Sequence, residues 1–121
     1  MRRIEFTIPF LPRMTNPSGR PTHWAVLNTE KNRIHKMVWL LVKESAFLGP
    51  PMMKARLTLT RASSSEPDFD GLVSGFKRVI DGLVAAGVLI NDKQSVIGQS
   101  RYVWEKASPK RGCVKVLVEE C

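Results

Sequence analysis

Residues Lys54–Ala62 read KARLTLTRA, with polar and apolar side chains in strict alternation over most of the segment. A period of two is the signature of a β-strand whose side chains project to opposite faces, one of them apolar. A strand of this kind needs paired neighbours and a cover for its apolar face, which commits the chain to a sheet. Residues 2–8 (RRIEFTI) repeat the alternation, and the segments Val96–Glu105 and Gly112–Glu119 read as two final strands joined by a basic turn through Lys106, Pro109, Lys110 and Arg111.

The cover is legible too. Between Glu30 and Phe47 the residues Ile34, Met37, Val38, Leu41 and Val42 recur at helical spacing, and Gly49-Pro50-Pro51 stops the helix. A second stripe, Leu72, Phe76, Val79, Ile80 and Leu83, predicts one helix beginning near Asp70 and ending at Gly87. Between the first strand and the first helix, Pro9, Pro12, Asn16, Pro17, Gly19 and Pro21 mark a long irregular loop. The expected architecture is therefore α+β: residues 1–121 as a single domain, a mixed sheet of about four strands, and two helices in the order β-α-β-α-β-β.

Charge narrows the function classes. The 121 residues carry a net charge of +8, which favours a polyanionic partner, either nucleic acid or an anionic membrane surface, over a basic one. No apolar run follows Arg2-Arg3 and none reaches membrane-spanning length, so neither a secretory signal nor a membrane span is expected. Cys113 and Cys121 stand in no CxxC pair, and both are read as reduced thiols, Cys113 as a buried strand residue.

Against that basic background all four aspartates, Asp68, Asp70, Asp81 and Asp92, fall within one window. In an extended segment Asp68 and Asp70 would point to the same side, and two carboxylates that close call for a cation. Magnesium suits them, because it takes oxygen ligands and keeps several waters. If the helix begins at Asp70, then Asp70, Lys77 and Asp81 share one narrow sector of its surface, and Lys77 could offset charge near a phosphate. The plainer reading has Asp70 as a helix N-cap, Lys77 and Asp81 as a surface i,i+4 pair, and Asp92 as a turn residue.

The segment PDFDGLVSGFKRVIDGLVAAGVLIND resembles the signature of RusA-type Holliday junction resolvases, a bacterial and phage endodeoxyribonuclease family. Its D-x-D corresponds to Asp68 and Asp70, its lysine four residues before an aspartate to Lys77 and Asp81, its A-G pair to Ala86-Gly87, and its last acid to Asp92. The specific matches are confined to residues 67–94. Gly71 stands where the family usually has asparagine, and Asn91 replaces the first acid of a D-D pair.

The resemblance implies a magnesium-dependent hydrolase, with manganese as a possible substitute, that cuts phosphodiester bonds at four-way or branched DNA in recombination and repair. It further implies a two-fold homodimer acting in the cytoplasm of a bacterial or phage-infected cell. Asp68, Asp70 and Asp92 would hold the metal and Lys77 would assist. Such an acidic site needs a basic rim to approach DNA, for which the candidates are Arg13, Arg20, Lys31, Arg33, Lys36, Lys106, Lys110 and Arg111. Trp24 is the tryptophan best suited to stack on an unpaired base, with Trp39 and Trp104 expected in the core. His23 and His35 have no assigned role. The competing reading is a non-catalytic basic DNA-binding module; the PD-(D/E)xK nuclease class, suggested by Pro67-Asp68, is disfavoured because no Asp or Glu stands two residues before a lysine.

Overall fold

A computed structural model describes residues 1–12 and 24–121, the side chains of residues 24–28 excepted. Four strands, β1 (Arg3–Ile8), β2 (Ala55–Ser63), β3 (Arg101–Lys106) and β4 (Cys113–Glu120), form one sheet in the order β1-β4-β2-β3. β4 runs antiparallel to both β1 and β2, whereas β2 and β3 are parallel. Parallel neighbours require a crossover, and the helices supply it. Helix α1 (Trp24–Glu44) connects β1 to β2, and α2 (Phe69–Gly75), α3 (Lys77–Ala85) and the short α4 (Gln94–Ile97) connect β2 to β3.

The registers explain the core. Ile4, Phe6 and Ile8 of β1 pair with Val118, Val116 and Val114 of β4, and Leu57 and Leu59 of β2 pair with Val118 and Val116. All of these are buried, so one face of the sheet carries a continuous apolar layer. Ile34, Val38 and Val42 from α1, Phe76 between α2 and α3, and Val79 and Leu83 from α3 close over it. The two helices approach closely where Gly82 meets Val38: a Cβ at position 82 would lie 3.2 Å from Val38 Cγ2. The α+β class and the four-strand sheet expected from alternation are thus present.

Four local expectations are corrected. Helix α1 begins earlier than the periodic stripe suggests. The second helix is two, interrupted at Phe76. Val96 and Ile97 are buried side chains of α4, not strand residues. Trp39, expected in the core, is 47% exposed and lies under the Lys43 ammonium, 4.8 Å from its ring centroid. Cys113 is half-buried and Cys121 exposed, both as free thiols. Among the described residues no helix is long and apolar enough to cross a membrane.

Arg2 ties together the end of the sheet away from the acidic segment. Its guanidinium meets both oxygens of Glu120, with Nη2–Oε2 at 2.7 Å and Nε–Oε1 at 3.2 Å. Its Nη1 donates to the carbonyls of Leu48 and Pro50 at 3.0 and 2.6 Å. Gly49 turns between them with φ of +96°, a conformation that side chains resist. Hydrogen bonds from Arg2 hold the Glu120 carboxyl down at about 2, against an ordinary value of 4.5. A depressed carboxyl contributes stability that is complete above the unfolded value and is lost as pH falls through the folded one. Thermal melts should therefore show a decline between about pH 4.5 and 2 that Glu120→Gln flattens. An identical decline in that variant would show that the pair does not contribute.

Candidate active site

β2 ends at Ser63, and the loop SSEP leads to Asp68, which caps α2. Asp68 is extended (φ −67°, ψ 164°), its Oδ1 accepts from the Gly71 amide at 3.3 Å, and its carbonyl accepts from Leu72 N at 2.9 Å. Aspartate suits this place because the first amides of a helix lack intrahelical acceptors. Asp70 follows in the first helical turn, where the amide dipoles also favour negative charge. The N-cap is therefore Asp68, not Asp70, and the two carboxylates are neighbours on one helix start, not on an extended strand. Both are exposed, as is Phe69 between them.

The interruption at Phe76 alters the rest of the constellation. Its amide bonds the Val73 carbonyl at 3.1 Å, one residue tighter than in an α-helix, before α3 resumes with Ile80 N on the Phe76 carbonyl. Phe76 is buried and stacks on Tyr102 of β3, with ring centroids 5.7 Å apart. Lys77 opens α3 and is exposed, while Asp81 is half-buried towards α1. There it opposes the burial and the Lys31 and Arg78 charges that together lower the pKa of His35. His35 Nε2 is buried without a hydrogen-bond partner among the described residues. Lys77 and Asp81 remain one turn apart on α3, whereas Asp70 lies on α2, across the break at Phe76.

Asp92 is placed by a different set of contacts. Ala86 caps α3 and Gly87 (φ +81°) turns the chain just beyond it, with Val88 N bonded to Leu83 O and Gly87 N to Val84 O. The chain then runs beside Met52, whose amide bonds Val88 O and whose carbonyl accepts from Ile90 N. Met52 precedes β2, whereas Asp68 follows it. Asp92 therefore follows a segment anchored beside the start of the nine-residue β2, whereas Asp68 and Asp70 follow its end. Among the described residues no three His, Cys, Asp or Glu side chains gather as a metal-ligand set. The Asp68–Asp70 pair by itself fits magnesium, which is commonly held by one or two carboxylates with water and phosphate oxygens completing its shell.

The basic candidates distribute unevenly. Lys106, Lys110 and Arg111 are exposed where β3 passes into β4, and the backbone there is tied to the start of the acidic loop by Ala107 N on Ser63 O at 2.9 Å. Arg33, also exposed, lies 3.7 Å over the Phe10 ring just beyond β1 and 3.7 Å from Glu30. The C-terminal ends of β1, β2 and β3 therefore share one edge of the molecule with Asp68 and Asp70. Lys31 and Lys36 are exposed along α1. Arg13, Arg20 and His23 lie outside the described residues, as does the side chain of Trp24.

Sequence reasoning passed over Arg61, Ser63 and Tyr102 at this same edge and expected Trp104 in the core, against which it packs half-buried. Arg61 is half-buried, reaches the Pro12 carbonyl at 3.4 Å, and has its pKa lowered by burial. The signal was available: Ala55, Leu57 and Leu59 share one face of β2, and the next two residues of that face, Arg61 and Ser63, are polar. Polar groups on the core side of a strand mark the place where the apolar cover ends. The chain matches no protein-family model and no curated protein sequence.

Proposed function

We propose that this chain is a magnesium-dependent endodeoxyribonuclease acting on four-way or branched DNA as a two-fold homodimer. The observation that carries the reading is the Asp68–Asp70 pair, two exposed carboxylates on one helix start, set at an edge of a basic protein that also carries Arg33, Arg61, Lys106, Lys110 and Arg111. That juxtaposition reconciles an acidic site with a polyanionic substrate: the rim attracts the backbone and the carboxylates receive the cation. The likeness of residues 67–94 to RusA-type resolvases supplies the substrate class.

Asp68 and Asp70 would hold the ion, with the Gly71 amide restraining the first of them. Bound there, magnesium would supply Lewis acidity at a phosphate oxygen and a more acidic water. Lys77, exposed at the start of α3, would offset phosphate charge. Asp92 would join these residues from a second copy, since in its own chain it follows a segment anchored beside the start of β2. Exposed Met53 and Ile90 flank it, as expected of a segment that another subunit covers. Two copies related by a two-fold axis would then form two sites, matching the paired cuts a junction requires.

A mixing experiment tests both parts. Asp70→Asn and Asp92→Asn should each fail to cut a synthetic four-way junction with magnesium, while a co-refolded mixture regains single-strand nicks from heterodimers holding one intact site. A silent mixture beside an active wild type would contradict the shared site. An inactive wild type that still binds junctions would favour the DNA-binding module, in which Asp68 serves only as a cap.

A further inference from the structure

Three hydrogen bonds and one aromatic stack connect β3 to the acidic segment at both of its ends. Trp104 Nε1 donates to Ser63 Oγ at 2.9 Å, and Ser63 Oγ donates to the Ser65 carbonyl at 2.9 Å. An indole nitrogen can only donate, so the Ser63 hydroxyl must accept from it and turn its own proton to Ser65. The direction of the relay is thereby fixed. Ser63 is 5% exposed, where a lost partner is not readily replaced by water, and its carbonyl is held by Ala107 N. Two residues earlier on the same face of β3, Tyr102 stacks on Phe76, which closes α2 and precedes Lys77.

From this arrangement we propose that Trp104 is a positioning residue for the Asp68–Asp70 pair, acting through Ser63 and the Ser65 carbonyl; the inference rests on the nuclease reading for its catalytic consequence only. Only Glu66 and Pro67 separate the Ser65 carbonyl from Asp68, and the φ of Pro67 is restricted, so the placement of Ser65 bears on the helix cap. Tyr102 holds the far end of the same segment. β3 is thus a template along which residues 65–76 are laid, and the two carboxylates take their positions from it. Trp104 touches neither carboxylate and needs no contact with DNA for this role.

The test has a structural arm and a kinetic arm. In the full chain, Trp104→Phe and Ser63→Ala should each speed amide hydrogen exchange at Gly71 and Leu72 severalfold, leaving the amides of β4 unchanged; Ser63→Thr, which keeps the hydroxyl, should restore slow exchange. Junction cleavage should fall on the order of tenfold in single turnover in the first two variants, with unchanged junction affinity and a higher magnesium requirement, and the double variant should be no worse than either single one. Unchanged exchange at Gly71 and Leu72 would overturn the relay whether or not the protein cuts DNA. Equal losses in affinity and cleavage rate, or additive losses in the double variant, would also overturn it. Failure of the wild type to cut would count against the nuclease reading while leaving the exchange result to decide the relay.

Discussion

Phe76→Ala is expected to destabilise the protein by about 3–5 kcal/mol, the range for removing a buried aromatic ring. The ring is 1% exposed and belongs to the core that α1 and α3 close over the sheet, and it also stacks on Tyr102. Its loss removes the apolar contacts and leaves a cavity at the point where α2 and α3 meet. Against a total stability of about 5–15 kcal/mol for an ordinary domain, this is a large fraction. For a chain of this size it corresponds to a fall in Tm of about 10–20 °C. Leu48→Ala, at a side chain 78% exposed, should change stability by no more than about 0.5 kcal/mol. A loss below about 1 kcal/mol in Phe76→Ala would mean that the helix junction does not depend on this ring.

The same residue shows where the sequence is legible and where it is not. Phe76 fits the apolar stripe of a single helix, and nothing in a helical period marks a break at a residue that satisfies it. The break falls where Phe76 stacks on Tyr102 of β3, a contact between distant segments that a helical period does not encode. Alternation identified β1, β2 and β4 to within a residue or two, since each has one face against the core and one away from it. Val96 and Ile97 resisted the same reasoning: two adjacent apolar residues carry no period, and their burial in α4 is decided by packing against β2. Asp92 is the sharper case. Its chemistry and its spacing from Asp70 are visible in the chain, but its location depends on the pairing of Met52 with Leu89, a contact between distant segments. Trp39 was expected inside because tryptophan usually is; on α1 it falls at the edge of the buried stripe and lies against Lys43.

Asp70→Asn should lower magnesium-dependent junction cutting by at least on the order of a thousandfold, about 4 kcal/mol of activation free energy. Asparagine has nearly the same size and keeps an oxygen in place, so the helix start should persist; what is removed is the negative charge that would hold the cation. Removing that charge beside a DNA backbone should leave junction affinity unchanged or slightly stronger. This combination separates a ligand from a helix-start residue, because loss of a helix-start preference alone would affect stability and not cutting. Asp68→Asn is a weaker discriminator, since Asp68 also caps α2 and asparagine caps nearly as well.

The most direct measurement is cleavage of a synthetic four-way junction by the wild type and Asp70→Asn, each with and without magnesium, with linear duplex as the control. The account predicts paired cuts in the junction by the wild type with magnesium only, little action on the duplex, and intact binding without cutting by Asp70→Asn. Cutting of the junction by Asp70→Asn at the wild-type rate, or binding without cutting by the wild type in magnesium, would contradict it.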